Sequence, residues 1–159
     1  FSTGSLGHGL PVGVGMAVNA KYEKLDYRVF VVMGDGECNE GSVWEAAMSA
    51  SKHKLDNLIA IVDYNKFQAN GSTYDVLDLE PFADKWSSFG FAVKEVDGHN
   101  VTELEKVFST VPIETGTPTA IICHTIKGKG ISFAENNSEW HHKSRLEKVM
   151  PSLIKALEE

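Results

Sequence analysis

At 159 residues the chain is one domain's length, enough to bury about two-thirds of the surface its unfolded form would expose. With 42% hydrophobic and 23% charged residues the composition excludes a disordered segment, and no apolar run approaches the roughly 20 residues that a membrane-spanning helix needs. A formal charge of -7 argues against a nucleic-acid partner, because duplex binding depends on Lys and Arg neutralising phosphates.

Taken in chain order, Leu10 to Tyr22 carries small and apolar residues that predict a helix packed closely on a sheet, with Gly13 and Gly15 weakening it in isolation. Val29 to Met33 is a continuous apolar run and predicts a strand buried on both faces. From Glu40 to Lys54, Val43, Ala46, Ala47 and Ala50 stand at helical spacing, and Lys52, His53 and Lys54 close the segment where the helix dipole favours cations. Leu58 to Val62 predicts a second buried strand, followed by turn chemistry in Gln68-Ala69-Asn70-Gly71.

Pro81 to Phe89 predicts a short helix, Phe91 to Val96 a strand, Val101 to Val111 a helix and Pro118 to Cys123 the last strand, its proline at the first position where a missing donor is tolerated. Lys127 to Asn137 predicts a loop, and Ser144 to Leu157 a helix restarted by Pro151. This alternation predicts an α/β fold, a parallel sheet with helices on both faces, organised as a single domain over residues 1–159.

Gly34-Asp35-Gly36-Glu37 follows the first strand and Asp63-Tyr64-Asn65-Lys66-Phe67 follows the second, with a single helix between them. A crossover helix makes the two strands parallel neighbours, so the side chains of Asp35 and Asn65 face one crevice at the carboxyl ends of the sheet, where open α/β sheets bind ligands. One carboxylate and one amide form a sparse all-oxygen set, which suits Mg2+, an ion that takes few protein ligands and completes its shell with water and substrate phosphates. Gly34 and Gly36, lacking Cβ, let backbone approach a phosphate closely.

Gly7-His8-Gly9 does not make a dinucleotide loop, since no strand precedes it and the third glycine of that fingerprint is missing. Cys38 and Cys123 do not pair at metal-ligand spacing, and no targeting segment is visible, so a reduced, cytoplasmic protein is expected.

The thirty-residue spacing from Asp35 to Asn65 behind Gly34-Asp35-Gly36 resembles the thiamine-diphosphate signature. The whole set of segments resembles the transketolase family: Thr3-Gly4-Ser5-Leu6-Gly7-His8-Gly9-Leu10, Gly34-Asp35-Gly36 with Glu40-Gly41 and Glu45, Asp63-Tyr64-Asn65, Lys127-Gly128-Lys129-Gly130, and Trp140-His141. They run in the family's order from Phe1 to about Lys143.

The resemblance implies the diphosphate-binding domain of a thiamine-diphosphate-dependent enzyme. It makes Asp35 and Asn65 magnesium ligands through their side chains and Phe67 a ligand through its carbonyl. Gly34 and Gly36 fall to the diphosphate turn, Gly4 and Leu6 to the thiamine rings, and Lys127 to a loop closing over the cofactor. His141 corresponds to a histidine that contacts the diphosphate and the reacting end of the substrate, while His142 stands where the family has glycine. Glu40 and Glu45 correspond to glutamates at a subunit interface that connects two cofactor sites.

The activity implied is transfer of a two-carbon ketol unit between sugar phosphates. In the family a substantial segment precedes the position of Phe1, so a chain lacking the first segment is expected, and the glutamate that activates the aminopyrimidine belongs to a pyrimidine-binding domain outside this sequence. A pyrimidine-binding or C-terminal partner subunit in a homo- or hetero-oligomer is therefore expected. A 1-deoxyxylulose-phosphate synthase-like enzyme, a 2-oxo acid dehydrogenase component and a non-catalytic scaffold subunit share parts of the pattern, but Ser5 to Leu10 and Trp140-His141 favour transketolase over the two enzymes.

Overall fold

The computed structural model describes residues 1–141 and 146–158. Helix α1 (Gly9–Tyr22) leads to strand β1 (Val29–Gly34), a 3-10 turn (Gly36–Asn39), helix α2 (Gly41–Lys52) and strand β2 (Leu58–Tyr64). A small antiparallel hairpin, β3 (Phe67–Gln68) and β4 (Gly71–Ser72), precedes helices α3 (Thr73–Leu77) and α4 (Phe82–Ser88). Strand β5 (Ala92–Asp97), helix α5 (Val101–Ser109) and strand β6 (Thr119–His124) complete the sheet, and helix α6 (Met150–Glu158) follows two short 3-10 turns.

The four long strands form a parallel sheet in the order β1-β2-β6-β5. Its register sets Gly34 beside Asp63, Asp63 beside Cys123 and Tyr64 beside His124, so the carboxyl ends of the three strands finish at one level. Alternating side chains divide the interior in two. On one face Val31, Met33, Ala60, Val62 and Ile122 pack with residues of α1, α2 and α4 around Trp86; on the other, Ile59, Ile121, Cys123 and Val96 pack with Val107 and Val111 beside α5. Helices thus lie on both faces, as the alternation of elements requires.

Gly13 has a packing reason that offsets its poor helix propensity: a Cβ there would lie 2.4 Å from Val31 Cγ2, so its absence lets α1 settle onto β1.

The expectation that the first strand is buried on both faces is corrected. Val29, Val31 and Met33 are buried, but Phe30 and Val32 are 45% and 72% exposed. β1 is the edge of the described sheet, where Phe108 of α5 meets Phe30 edge-on. Central β2 and β6 are covered on both sides, which is the arrangement a continuous apolar run signals.

Three local readings change as well. The segment around Gln68 to Gly71 is not a bare turn but a hairpin that turns at Ala69-Asn70 and starts its return strand at Gly71, φ +138. It runs directly into α3, which the sequence reading omits and which the Ser72 hydroxyl caps by accepting the Asp75 N–H at 3.1 Å. Pro118 stands just before β6, offering its carbonyl to the Ala92 N–H, and the final helix begins at Met150, with residues 144–145 outside the described residues.

Candidate functional site at the carboxyl ends of the strands

A crevice of about 1010 Å³ opens at the carboxyl ends of β1 and β2 and continues along α1 and the outer edge of β1. It brings together Gly4, Leu6, Gly34, Asp35, Gly36, Glu40, Asn65, Phe67, Lys127 and His141 from five separate stretches of sequence. Glu45, the remaining residue singled out in the sequence, is not among its walls and lies on the exposed side of α2. His142 lies outside the described residues.

Asp35 is the fixed point. It sits at the end of β1 as the N-cap of the 3-10 turn, fully buried, and its carboxylate accepts the Gly36 N–H at 2.7 Å and the Lys66 N–H across the crevice. Burial pushes its carboxyl up to about 6; those two backbone bonds oppose the shift, Asp63 adds to it and the Lys127 ammonium opposes it. A buried carboxylate near a second carboxylate is an arrangement that a cation relieves.

Asn65 turns its Oδ1 back to accept the Phe67 N–H at 2.9 Å, an Asx turn that fixes the path from Asn65 to Phe67. Lys66 between them takes the left-handed conformation at φ 68, which is what delivers its N–H to Asp35.

The donor set is sparse. Among the described residues no group of three or more His, Cys, Asp or Glu side chains converges as a metal cage. One buried carboxylate, one amide oxygen and a backbone carbonyl fit an ion that draws most of its shell from water and phosphate oxygens, as Mg2+ does. Gly34 fits a ligand approaching closely, since a Cβ there would point into open space. Gly36 is different: its Cβ would fall 2.5 Å from Gln68 Cβ, so this glycine is required by the hairpin packed against the turn.

Lys127 lies half-buried after β6, in a loop that doubles back so that its carbonyl accepts the Asn136 N–H at 2.9 Å. Gly128 allows this, at φ 74 and with its Cβ position 2.5 Å from the Ala134 carbonyl oxygen. His141 follows the turn Ser138–Trp140, its N–H bonded to the Ser138 carbonyl at 2.9 Å, while the Trp140 ring packs 5.4 Å from Phe133.

Several residues of the site's frame escape sequence reasoning. Glu37 accepts the Gly7 N–H at 3.0 Å and the Ser42 hydroxyl donates to the Gly7 carbonyl at 2.8 Å. The Thr125 hydroxyl donates to Asp63, and the His99 ring accepts the Ile126 N–H at 2.8 Å, one residue before Lys127. Glu37 stands inside the conspicuous glycine turn, but its partner is 30 residues away and nothing local marks the contact.

A parallel sheet with helices on both faces and a crevice at the carboxyl ends of its strands defines an α/β ligand-binding domain. Residues 1–153 match the family described as Transketolase, thiamine diphosphate binding domain, and the chain belongs to that family.

Among its relatives, an apulose-4-phosphate transketolase subunit from Phocaeicola vulgatus is 48% identical over 141 residues, covering 89% of this chain and 50% of the relative. The 6-deoxy-6-sulfo-D-fructose transketolase subunit SqwG of a Clostridium species is 41% identical over 158 residues, covering 99% of this chain and 58% of the relative. The crystal structure of transketolase from Campylobacter jejuni superposes with a TM-score of 0.85 at 29% identity, covering 97% of this chain and 25% of that one. The chain spans about half the length of the curated subunits it matches.

Proposed function

We propose that these residues form the diphosphate-binding domain in one subunit of a split transketolase that moves a two-carbon ketol unit between sugar phosphates with thiamine diphosphate and Mg2+. The observation that carries this reading is the convergence of Asp35, Asn65, Phe67, Lys127 and His141 on one crevice with the buried Asp35 carboxylate at its floor. Relatives named as transketolase subunits, of comparable coverage, support the split arrangement.

Asp35 and Asn65 would hold the metal through side-chain oxygens and Phe67 through its carbonyl, and Lys127 would offset diphosphate charge in a protein of formal charge -7. When bound, the cofactor supplies a nucleophilic carbon and an electron sink for cleaving the ketose. Gly4 and Leu6 line the part of the crevice assigned to the thiamine rings, and both are exposed toward it. His141 would donate a hydrogen bond from its ring to a diphosphate oxygen or to the substrate's reacting oxygen. Glu40 at the crevice rim and Glu45 on the outer side of α2 face a partner subunit, whose pyrimidine-binding domain supplies the activating glutamate. The setting is the cytoplasm.

Asp35→Ala tests the reading. Calorimetric titration of the enzyme assembled with its partner should show magnesium-dependent thiamine diphosphate binding for the wild type and none for the variant; unchanged affinity would sink the metal assignment.

A further inference from the structure

Phe1 to Leu6 line the crevice, yet in the segment up to His8 only Gly7 is buried. Locally Gly4 and Leu6 are held only by contacts within the exposed segment itself, the Leu6 N–H to the Gly4 carbonyl at 2.9 Å, the Thr3 hydroxyl to the same carbonyl and the His8 ring at the Leu6 carbonyl, none of which ties the segment to the sheet. Gly7 itself is left-handed at φ 70 and wedged against the start of α2, where a Cβ would lie 2.5 Å from Glu40 Cβ and 2.6 Å from Ser42 Oγ.

Both polar atoms of this buried residue are met, one from the 3-10 turn and one from the first turn of α2. Glu37, only 8% exposed, accepts the Gly7 N–H at 3.0 Å, and Ser42 donates to the Gly7 carbonyl at 2.8 Å. A buried carboxylate is costly without a donor, and a charged acceptor makes the stronger kind of hydrogen bond.

We propose that Glu37 and Ser42 form a clamp on Gly7 that positions the Gly4–Leu6 segment over the crevice, making them positioning residues for cofactor binding. The clamp grows from the same turn that begins at Asp35, so the metal-binding end of β1 and the loop carrying Gly4 and Leu6 are set by one rigid unit. Neither residue lies in the proposed coordination sphere, and Glu37 acts through Gly7. This inference rests on the proposed function.

Glu37→Ala, Glu37→Gln and Ser42→Ala provide the test, each read two ways. Amide exchange of peptides spanning residues 1–10 should speed up on the order of tenfold or more in Glu37→Ala, as loss of a charge-assisted bond implies, while strands β2 and β6 exchange as in the wild type. Glu37→Gln, which keeps an acceptor oxygen, should restore most of the protection. Titration with thiamine diphosphate and Mg2+ should follow the same order, with Glu37→Ala weakened about tenfold and Glu37→Gln near the wild type.

Unchanged exchange at residues 1–10 in Glu37→Ala overturns the clamp, and faster exchange with unaltered cofactor affinity overturns its positioning role. If Glu37→Ala fails to fold, Ser42→Ala reads the same two quantities from the other half of the clamp. A wild-type enzyme that takes up no thiamine diphosphate overturns the cofactor reading and the positioning role together, while the exchange measurement still decides whether the clamp exists.

Discussion

At Asp35 the sequence places a carboxylate, and folding removes it entirely from water. In the proposed metal site Asn65 would offer a side-chain oxygen and Phe67 only its backbone carbonyl. Asn65→Ala should therefore weaken magnesium-dependent cofactor binding about ten- to a hundredfold, since it deletes an oxygen and also the Asx bond that shapes the turn. Phe67→Leu keeps the carbonyl and should leave metal affinity nearly unchanged. Titrations across a range of Mg2+ concentrations check the pair, and a large loss at Phe67 with none at Asn65 would reverse the assignment. The cysteines take no part in this chemistry. Burial pushes the Cys38 thiol far up, with Asp35 and Glu37 adding to the shift, and burial raises Cys123 to about 11, so both stay protonated and inert near neutral pH.

Between elements, Asp56 ties three parts of the fold together away from the crevice. Standing between α2 and β2, it pairs with Lys21 on α1 and accepts the Gly116 N–H at 2.8 Å from the loop before β6. Partial burial by itself would raise its carboxyl, but the Lys21 ammonium and the Gly116 N–H outweigh this and hold it below the ordinary carboxylate range. A depressed carboxyl contributes stability that is present above the unfolded value near 3.8 and is lost as pH falls through the folded value. Because Lys21 is partly exposed, solvent screens the pair. Asp56→Asn should cost about 1 kcal/mol at neutral pH, with the difference from wild type shrinking as the medium approaches about pH 2. Urea denaturation at several pH values measures it; a pH-independent difference would show that packing, not charge, accounts for the loss.

For the whole molecule, the proposed reading places the activating glutamate in a pyrimidine-binding domain outside these 159 residues. The purified chain should show no ketol transfer in a coupled assay and should gain it when its pyrimidine-binding partner is added; transfer by the partner-free chain would contradict the split-enzyme reading. Much of this was legible in one dimension. The apolar runs of β2 and β6, the helical spacing of Val43, Ala46, Ala47 and Ala50, and the turn around Asp35 each depend on neighbours close in sequence, so periodicity and glycine placement suffice to define them. The placement of Asp35 and Asn65 on one crevice was legible too, because a single crossover helix leaves parallel strands little choice of arrangement. The exposed face of β1 was not, since Phe30 and Val32 read as core until strand order places them at an edge. Nor was the true reason for Gly36, which meets Gln68, or the hold of Glu37 and Ser42 on Gly7. Local sequence determined which groups the crevice contains; tertiary packing decided which are buried and what holds them, because burial and long-range hydrogen bonds depend on partners that only the folded chain brings within reach.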